Sequence, residues 1–273
     1  MMRKVFFAAA VLICSCAALA AQEQAAGRLE SGQTWADKEF TASYDGTTQR
    51  YIEILPEGFD PARKADLIVW LHGHGSDRHQ VLADGGECPA PRMAAQKRGA
   101  IVISPDYRAK KSWMGPAAEQ DTLQLLALIK QRYNIGRTIL VGGSMGGSSV
   151  LTFTALHPEL VDAAVAYNPT ANHLEYETFH EAIALSFGGT KQQIPLEYKN
   201  RSAEYFPERF TMPLAVTVSG DDTIVPPQSA MRLVGIVEKL QPNVWMNFDP
   251  EGGHATRLET ALEALEFVYS RLP

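Results

Sequence analysis

Residues 138–147 read TILVGGSMGG, an apolar run followed by a glycine-rich turn. The run is typical of a strand buried on both faces, and the residues after the turn predict a helix. The turn contains the pattern G-x-S-x-G, with Ser144 at its centre and Gly142 and Gly146 on either side. Glycine suits both positions because a sharp strand-to-helix turn brings backbone segments close together. Ser144 is therefore a candidate nucleophile at the N-terminus of a helix.

A glycine-rich turn between a strand and a helix can also bind phosphate. The dinucleotide pattern G-x-G-x-x-G does not fit here, because Ser144 stands where its second glycine is needed. The turn also lacks the lysine of a P-loop. We therefore favour the nucleophile interpretation.

Strands and helices alternate through most of the chain. Short apolar runs that predict parallel strands lie at residues 67–71, 100–103, 163–166, 214–218 and 244–248. Helical stretches lie at residues 116–133, 145–157, 229–240 and 257–272. Near the start, residues 40–44 and 50–55 flank the turn signal Asp45-Gly46, which predicts an antiparallel hairpin. We expect an α/β fold with a mainly parallel sheet and helices on both faces.

Residues 167–213 interrupt this alternation, because they contain no clear buried strand. Long connections in compact domains are usually lids or small helical insertions. The segment contains the aromatic residues Tyr176, Phe179, Phe187, Tyr198, Tyr205 and Phe206. A helical insertion merely packed on the sheet would explain them, but we favour a cap that lines a binding cleft.

A base and an acid follow the candidate nucleophile along the chain. A serine hydroxyl attacks well only when a neighbouring base takes its proton. His254 follows the strand at residues 244–248 and precedes the last helix, so it lies where active sites of open α/β sheets gather. His254 is the candidate base.

The candidate acid is Asp222, which follows the strand at residues 214–218. Its D-x-x-V-P spacing to residues 225–226 favours it over Asp221, and Asp249 is a third choice. The order serine, acid, histidine is the one used by hydrolases with a nucleophile on such a turn.

The candidate oxyanion hole combines two backbone N–H groups. One belongs to Met145, directly after the candidate nucleophile, and the other to His74 in the sequence LHGHG at residues 71–75. Residues 72–79, HGHGSDRH, also resemble a binuclear metal motif. Ser76 stands where that motif needs aspartate, and Asp77 where it needs histidine, so we expect no metal site. We expect no other cofactor either.

The first residues predict a secretory signal peptide. Arg3 and Lys4 precede an apolar run, and Ala18-Leu19-Ala20 offers a cleavage site. We expect a signal peptide at 1–20, a linker at 21–35 and a catalytic domain at 36–273. The mature protein would be secreted or periplasmic, without a stable membrane span. Lipid attachment at Cys16 is a less favoured alternative.

The composition of the chain limits the classes of molecule that we expect it to bind. The formal net charge is −6 without a basic patch, so we expect no nucleic acid. The expected partner is a small-molecule or glycan ester. Cys88 is the single cysteine after the predicted signal, so an internal disulfide cannot form, and we interpret Cys88 as structural.

Together these motifs resemble the α/β-hydrolase superfamily, in particular its secreted esterase and prolyl-oligopeptidase-like branch. The resemblance runs from about Tyr51 to the C-terminus. It depends on the glycine-rich loop at His72, the turn at Ser144, the acid loop at Asp222 and G-G-H at His254. It implies acyl transfer by a Ser-His-Asp triad, but it does not fix the acyl group.

Within this branch we expect a carboxylic ester hydrolase. Acetyl or feruloyl esters of carbohydrates fit an exported enzyme. A peptidase is the alternative, less favoured because these 273 residues include no propeller segment. A catalytically inactive binding protein on the same scaffold is a third hypothesis.

Overall fold

The computed structural model describes residues 26–29 and 31–273. Its strands are β1 (Ala26–Arg28), β2 (Thr34–Thr41), β3 (Thr48–Leu55), β4 (Ala65–Leu71), β5 (Ile101–Pro105), β6 (Ile135–Gly143), β7 (Ala163–Tyr167), β8 (Leu214–Ser219) and β9 (Val244–Asp249). They form one sheet in the order β1-β2-β3-β5-β4-β6-β7-β8-β9.

The antiparallel part of the sheet begins the domain. β2 and β3 pair from Thr34 opposite Leu55 to Thr41 opposite Thr48, so the predicted hairpin is confirmed. In its turn, the Asp45 side chain accepts a hydrogen bond from the Thr47 N–H at 3.0 Å. β1 pairs with β2 and lies inside the segment predicted as a linker, so the sheet begins earlier than the predicted domain boundary.

The remaining strands form the parallel part of the sheet. β5 pairs antiparallel with β3 and parallel with β4, and every pair from β4 through β6, β7 and β8 to β9 is parallel. β5, β7 and β8 are buried along their whole length, which explains their continuous apolar runs. β9 lies at the edge and is only partly buried.

Helices cover both faces of the sheet, as predicted. The helices are α1 (Ala90–Arg98), α2 (Pro116–Arg132), α3 (Met145–Leu156), α4 (His180–Phe187), α5 (Pro195–Asn200), α6 (Gln228–Leu240) and α7 (Leu258–Arg271). α2, α3 and α6 pack in one hydrophobic core cluster, and α1 and α7 pack in a second cluster on the opposite face. α1 was not predicted, because alanines and two prolines near its start leave little apolar periodicity.

Residues 167–213 contain α4, α5 and two short 3-10 turns, in agreement with a helical insertion. A buried ion cluster fastens this insertion to the main domain. The Arg201 guanidinium donates to the Glu119 carboxylate on α2 and to the Met114 carbonyl, both at 2.7 Å. Arg201 is 5% exposed and also pairs with Glu197 of the insertion at 2.5 Å, so removing Glu119 would break the link to α2 and leave the buried charge with one carboxylate.

The predicted signal peptide and Cys16 lie outside the described residues. Of the helices in the described part of the chain, none combines the length and the apolar character that crossing a membrane requires. Cys88 is buried, in keeping with a structural role, and burial raises the pKa of its thiol to about 11.

Candidate active site

Ser144 lies at the sharp turn between β6 and α3. Its φ of 58° and ψ of −122° form a strained backbone conformation for a residue with a side chain. A Cβ on Gly146 would lie 1.9 Å from the Leu71 carbonyl oxygen, and one on Gly142 would lie 2.6 Å from the carbonyl carbon of Gly146. Only glycine fits at these two positions, and their close packing holds the turn in its strained form.

Ser144, His254 and Asp222 form one hydrogen-bonded chain. The Ser144 Oγ lies 2.8 Å from His254 Nε2, and His254 Nδ1 lies 2.7 Å from Asp222 Oδ2. An ionised carboxylate only accepts hydrogen bonds, so Nδ1 carries the proton and Nε2 accepts from the Ser144 hydroxyl. The three residues come from separate loops that follow β6, β8 and β9 at the carboxyl edge of the sheet.

The environment of Asp222 favours its ionised form. Burial raises its pKa, but hydrogen bonds from His254 and from the N–H groups of Val225 and Ile224 lower it more, so the net shift is downward. Both N–H groups lie 2.9 Å from Asp222 Oδ1. Asp221 is exposed and is not hydrogen-bonded to His254, whose Nδ1 pairs with Asp222, while Asp249 lies 3.5 Å from Arg257. Of the three sequence candidates, Asp222 is thus the one that the fold brings to the histidine.

Asn168 supports the His254 loop and was not predicted from the sequence. Its Nδ2 donates to the His254 carbonyl at 2.8 Å, and its own N–H donates to the Thr217 carbonyl at 2.9 Å. Its φ of 43° is left-handed, which asparagine tolerates better than most residues. The signal that could have found it is its position directly after β7, at the same edge as the other site residues.

The two candidate oxyanion donors lie on either side of Ser144. Met145 follows it at the start of α3, and His74 lies in the loop after β4. Among the described residues, neither the His74 nor the Met145 N–H donates a hydrogen bond to another residue. A Cβ on Gly73 would lie 3.8 Å from the Ser144 Cβ, so the glycine-rich loop passes directly beside the serine. The Tyr107 hydroxyl supports this loop by donating to the His72 carbonyl at 2.6 Å.

The histidines of this loop do not gather around a metal position. His72 is buried, with its ring nitrogens against the carbonyl oxygens of Gly73 and Asp106. His74 instead accepts a hydrogen bond from Trp113. Within the described residues, no group of three or more His, Cys, Asp or Glu side chains is arranged to hold a metal ion.

Aromatic side chains border the His74 side of the site and were not predicted as site residues individually. The His74 ring stacks on Phe179, with 4.1 Å between ring centroids, and Trp113 Nε1 donates to His74 Nδ1 at 3.1 Å. Trp113 also lies 5.5 Å from Tyr176. We call His74, Trp113, Tyr176 and Phe179 the aromatic wall. Two of its members, Tyr176 and Phe179, come from the insertion.

Comparison with known families identifies the chain. The family model described as prolyl oligopeptidase family matches residues 94–270, a range that includes Ser144, Asp222 and His254. The chain belongs to the prolyl oligopeptidase family. It is therefore a member of a family of serine hydrolases, and the resemblance drawn from its motifs is confirmed. A search of curated proteins found no significant match to the sequence.

Solved structures of serine hydrolases share the fold. A candidate dipeptidyl aminopeptidase IV from Bacteroides ovatus has a TM-score of 0.73 and 19% identity; the match covers 88% of this chain and 36% of that one. An S-formylglutathione hydrolase from Agrobacterium tumefaciens has a TM-score of 0.71 and 14% identity, over 92% and 98% of the two chains. An acylaminoacyl peptidase from Pyrococcus horikoshii has a TM-score of 0.65 and 16% identity, over 87% and 42%.

The predicted α/β-hydrolase fold is confirmed by these likenesses. The chain spans about a third of the Bacteroides ovatus protein and nearly all of the Agrobacterium tumefaciens one. At these identities the comparison supports the fold alone.

Proposed function

We propose that this protein is a serine esterase that hydrolyses carboxylic esters through an acyl-Ser144 intermediate. The observation that carries the proposal is the chain of two short hydrogen bonds, 2.8 Å from Ser144 to His254 and 2.7 Å from His254 to Asp222. A hydroxyl, a base and an orienting carboxylate in this arrangement form an activated nucleophile.

The arrangement of Ser144, His254 and Asp222 supports each proton transfer that acyl transfer requires. His254 Nε2 takes the Ser144 proton while Oγ attacks the ester carbonyl carbon, and Asp222 stabilises the imidazolium that forms. The oxyanion of the tetrahedral intermediate binds the free N–H groups of His74 and Met145. His254 then returns the proton to the leaving alcohol as the C–O bond breaks. Water repeats the sequence on the acyl-enzyme and releases the acid.

The surroundings of the site favour an ester with a bulky component. A cavity of about 740 Å³ lies inside the insertion, lined in part by Ile183, Leu185 and Tyr198. Tyr176 borders this cavity and also belongs to the aromatic wall beside His74. Trp113 is fully buried at the back of the wall, so the partly exposed rings of His74 and Phe179 are the ones that could contact a planar acyl group or a sugar ring. Acetyl or feruloyl esters of carbohydrates are therefore the substrates to examine first.

A serine peptidase is the second candidate, and the family match favours it. The same triad cleaves amides, with an amine as the leaving group that receives the proton from His254. A peptidase of this kind would cleave short peptides but would act weakly on simple aryl esters.

We also propose that the protein is exported. The signal-like residues 1–20 support this, with cleavage before Ala21, and Cys16 offers the alternative of a lipid anchor. Mass spectrometry of the mature N-terminus distinguishes a free Ala21 from a lipidated Cys16.

A fluorophosphonate probe and a substrate panel test the enzymatic proposal. The probe should label the protein once, and Ser144→Ala should abolish both labelling and hydrolysis. Labelling that survives the substitution would refute the assignment of Ser144. The panel compares short-chain aryl esters, acetylated glycans, feruloyl esters and peptides. Chelator-sensitive hydrolysis would favour a metal mechanism, and a folded protein without labelling or hydrolysis would favour the binding-protein hypothesis.

A further inference from the structure

The side chain of His74 lies beside the backbone N–H that is proposed to bind the oxyanion. The loop that carries it passes next to Ser144, since a Cβ on Gly73 would lie 3.8 Å from the Ser144 Cβ. The His74 ring stacks on Phe179 of the insertion, with 4.1 Å between ring centroids, and is partly exposed. Because a side chain stays within a few ångströms of its own backbone, the imidazole is within reach of a substrate bound at Ser144.

Trp113 fixes the orientation of this ring. Trp113 lies in the loop between β5 and α2, is fully buried, and donates from Nε1 to His74 Nδ1 at 3.1 Å. The two loops are also joined through their backbones, since the Gly75 N–H donates to the Lys110 carbonyl at 2.8 Å. A buried donor on a neighbouring loop thus holds the Nδ1 edge of the imidazole.

This hydrogen bond also decides which tautomer His74 adopts. An indole N–H only donates, so His74 Nδ1 must present its lone pair, and the single ring proton of the neutral imidazole lies on Nε2. Protonation of Nδ1 would place two N–H groups against each other. Burial, together with the neighbouring Lys111 and His72, also lowers the pKa of His74. His74 therefore keeps a neutral ring with its N–H on Nε2.

The Nε2–H group is the part of this ring that remains available. Nε2 has no hydrogen-bond partner in the described part of the chain, yet it is not one of the buried unsatisfied atoms, so solvent reaches it. The two nitrogens of an imidazole point in widely different directions. With Nδ1 held against a buried tryptophan, Nε2 faces away from Trp113. An oriented donor beside the nucleophile fits the role of a polar group that orients a substrate.

We propose that the His74 side chain is a substrate-binding residue, which donates a hydrogen bond from Nε2 to an ether or hydroxyl oxygen of the ester close to the scissile carbonyl. Trp113 is a positioning residue, because it holds the ring and its tautomer without touching the substrate. This role rests on the proposed function and narrows its substrates to esters that carry a second oxygen acceptor, a class that includes esters of alkoxy acids and of sugars. An isosteric ester with a methylene in place of that oxygen would leave the donor without a partner.

Isosteric pairs of esters test this contact. Aryl methoxyacetate and aryl butyrate differ by an oxygen or a methylene in the acyl group, and methoxyethyl acetate and butyl acetate differ in the same way in the leaving alcohol. The measurement is the ratio of kcat/KM for the oxygen ester to kcat/KM for the carbon ester. Dividing the ratio of a variant by that of the wild type cancels the intrinsic reactivity of each ester.

His74→Phe should lower this ratio about fivefold in at least one pair, since phenylalanine keeps a ring against Phe179 and removes a neutral hydrogen bond. The pair that responds shows whether the oxygen belongs to the acyl group or to the alcohol. His79→Phe is the matched control, because His79 is a more exposed histidine five residues further along the chain and lies 3.0 Å from Asp77. It should keep the wild-type ratio in both pairs.

Trp113→Phe tests the positioning role, because phenylalanine keeps an aromatic ring and removes the N–H. His74 Nδ1 can then carry the proton, so the ratio should fall, but no further than in His74→Phe. The double variant should show the ratio of His74→Phe alone, since both substitutions remove the same contact. A mere loss of packing would lower kcat/KM for both members of a pair and leave their ratio unchanged.

Nitrogen-15 NMR of the histidine rings determines the tautomer independently of activity. The His74 signals are assigned by comparison with the two variants. We expect the proton of His74 on Nε2 in the wild type.

The outcomes separate this contact from the proposed function. If hydrolysis requires Ser144 but the ratio in His74→Phe matches that of the wild type in both pairs, the contact is refuted and the esterase proposal stands. A proton on Nδ1 of His74 in the wild type also overturns it. If His74→Phe does not fold, an unchanged ratio in a folded Trp113→Phe variant refutes the contact. Absence of Ser144-dependent hydrolysis in the wild type refutes both proposals.

Discussion

Replacing Asp222 with asparagine should remove most of the activity while leaving the fold intact. Two backbone N–H groups, from Ile224 and Val225, donate to Asp222 Oδ1 at 2.9 Å. They fix the amide oxygen of the asparagine on their side, so the amide –NH₂ takes the place of Oδ2. A donor then faces His254 Nδ1, which must present its lone pair, and the ring proton moves to Nε2. Nε2 can no longer accept the Ser144 proton.

The expected loss in kcat for Asp222→Asn is about 10⁴-fold, since an orienting carboxylate in such a triad is worth that much. This corresponds to about 5.5 kcal/mol of transition-state stabilisation. The assay is steady-state hydrolysis of a short-chain aryl ester, with thermal unfolding to verify that the variant is folded. Asp221→Asn is the matched control, because Asp221 is exposed and is not hydrogen-bonded to His254. A folded Asp222→Asn variant that keeps more than a tenth of the wild-type kcat would refute the reasoning.

Three further predictions concern stability and reactivity. Gly146→Ala places a Cβ 1.9 Å from the Leu71 carbonyl oxygen, so we expect a loss of about 3 kcal/mol or more in the free energy of unfolding, measured by urea titration. Asp37 has a lowered pKa, because hydrogen bonds from Arg78 and Arg50 outweigh the raising effect of burial. The ionised Asp37 therefore contributes fully to stability above its ordinary pKa of 3.8, and this contribution is lost as pH falls through the lowered value. Asp37→Asn should lower the free energy of unfolding by about 2–3 kcal/mol at pH 7 and should make that free energy decline less steeply in acid. Native Cys88, with a pKa of about 11, should react with iodoacetamide at pH 8 at least about a hundredfold more slowly than the unfolded chain.

Each of these predictions has a control or a contradicting result. Gly235 lies inside α6 with open space around its Cα, so Gly235→Ala should stabilise the protein by about 0.5–1 kcal/mol. Equal destabilisation by both glycine substitutions would contradict the packing argument at Gly146. If the free energy of unfolding of Asp37→Asn depended on pH as it does in the wild type, Asp37 would not contribute to the loss of stability in acid. Rapid labelling of Cys88 in the folded protein, located by peptide mapping, would contradict its burial.

Much of the fold could be predicted from local patterns. The Asp45-Gly46 turn fixed the hairpin, and each buried parallel strand appeared as a continuous apolar run, because both of its faces are covered. α1 was not predicted from the sequence, because its buried face consists largely of alanines that pack against α7, and alanine gives little hydrophobic periodicity. β1 was not predicted either, because a strand of three residues forms by pairing with β2 and has too little sequence of its own to show a pattern.

The site could be predicted in part, for a topological reason. Parallel strands end at one edge, so residues that follow successive strands converge there although they are distant in sequence. This argument selected Ser144, Asp222 and His254, and the structure brings their side chains into contact. Trp113 follows no such rule. It lies in the loop between β5 and α2 and has a left-handed φ of 46° that only long-range packing sustains.

The central claim is that Ser144 carries the acyl group, and rapid-quench mass spectrometry of the enzyme mixed with an aryl acetate tests it most directly. We predict a burst of released phenol close to one equivalent, and a mass gain of one acetyl group on the peptide that contains Ser144. Ser144→Ala should show neither. Turnover that survives in Ser144→Ala, or an acetyl group on a different residue that turns over at the catalytic rate, would contradict the mechanism.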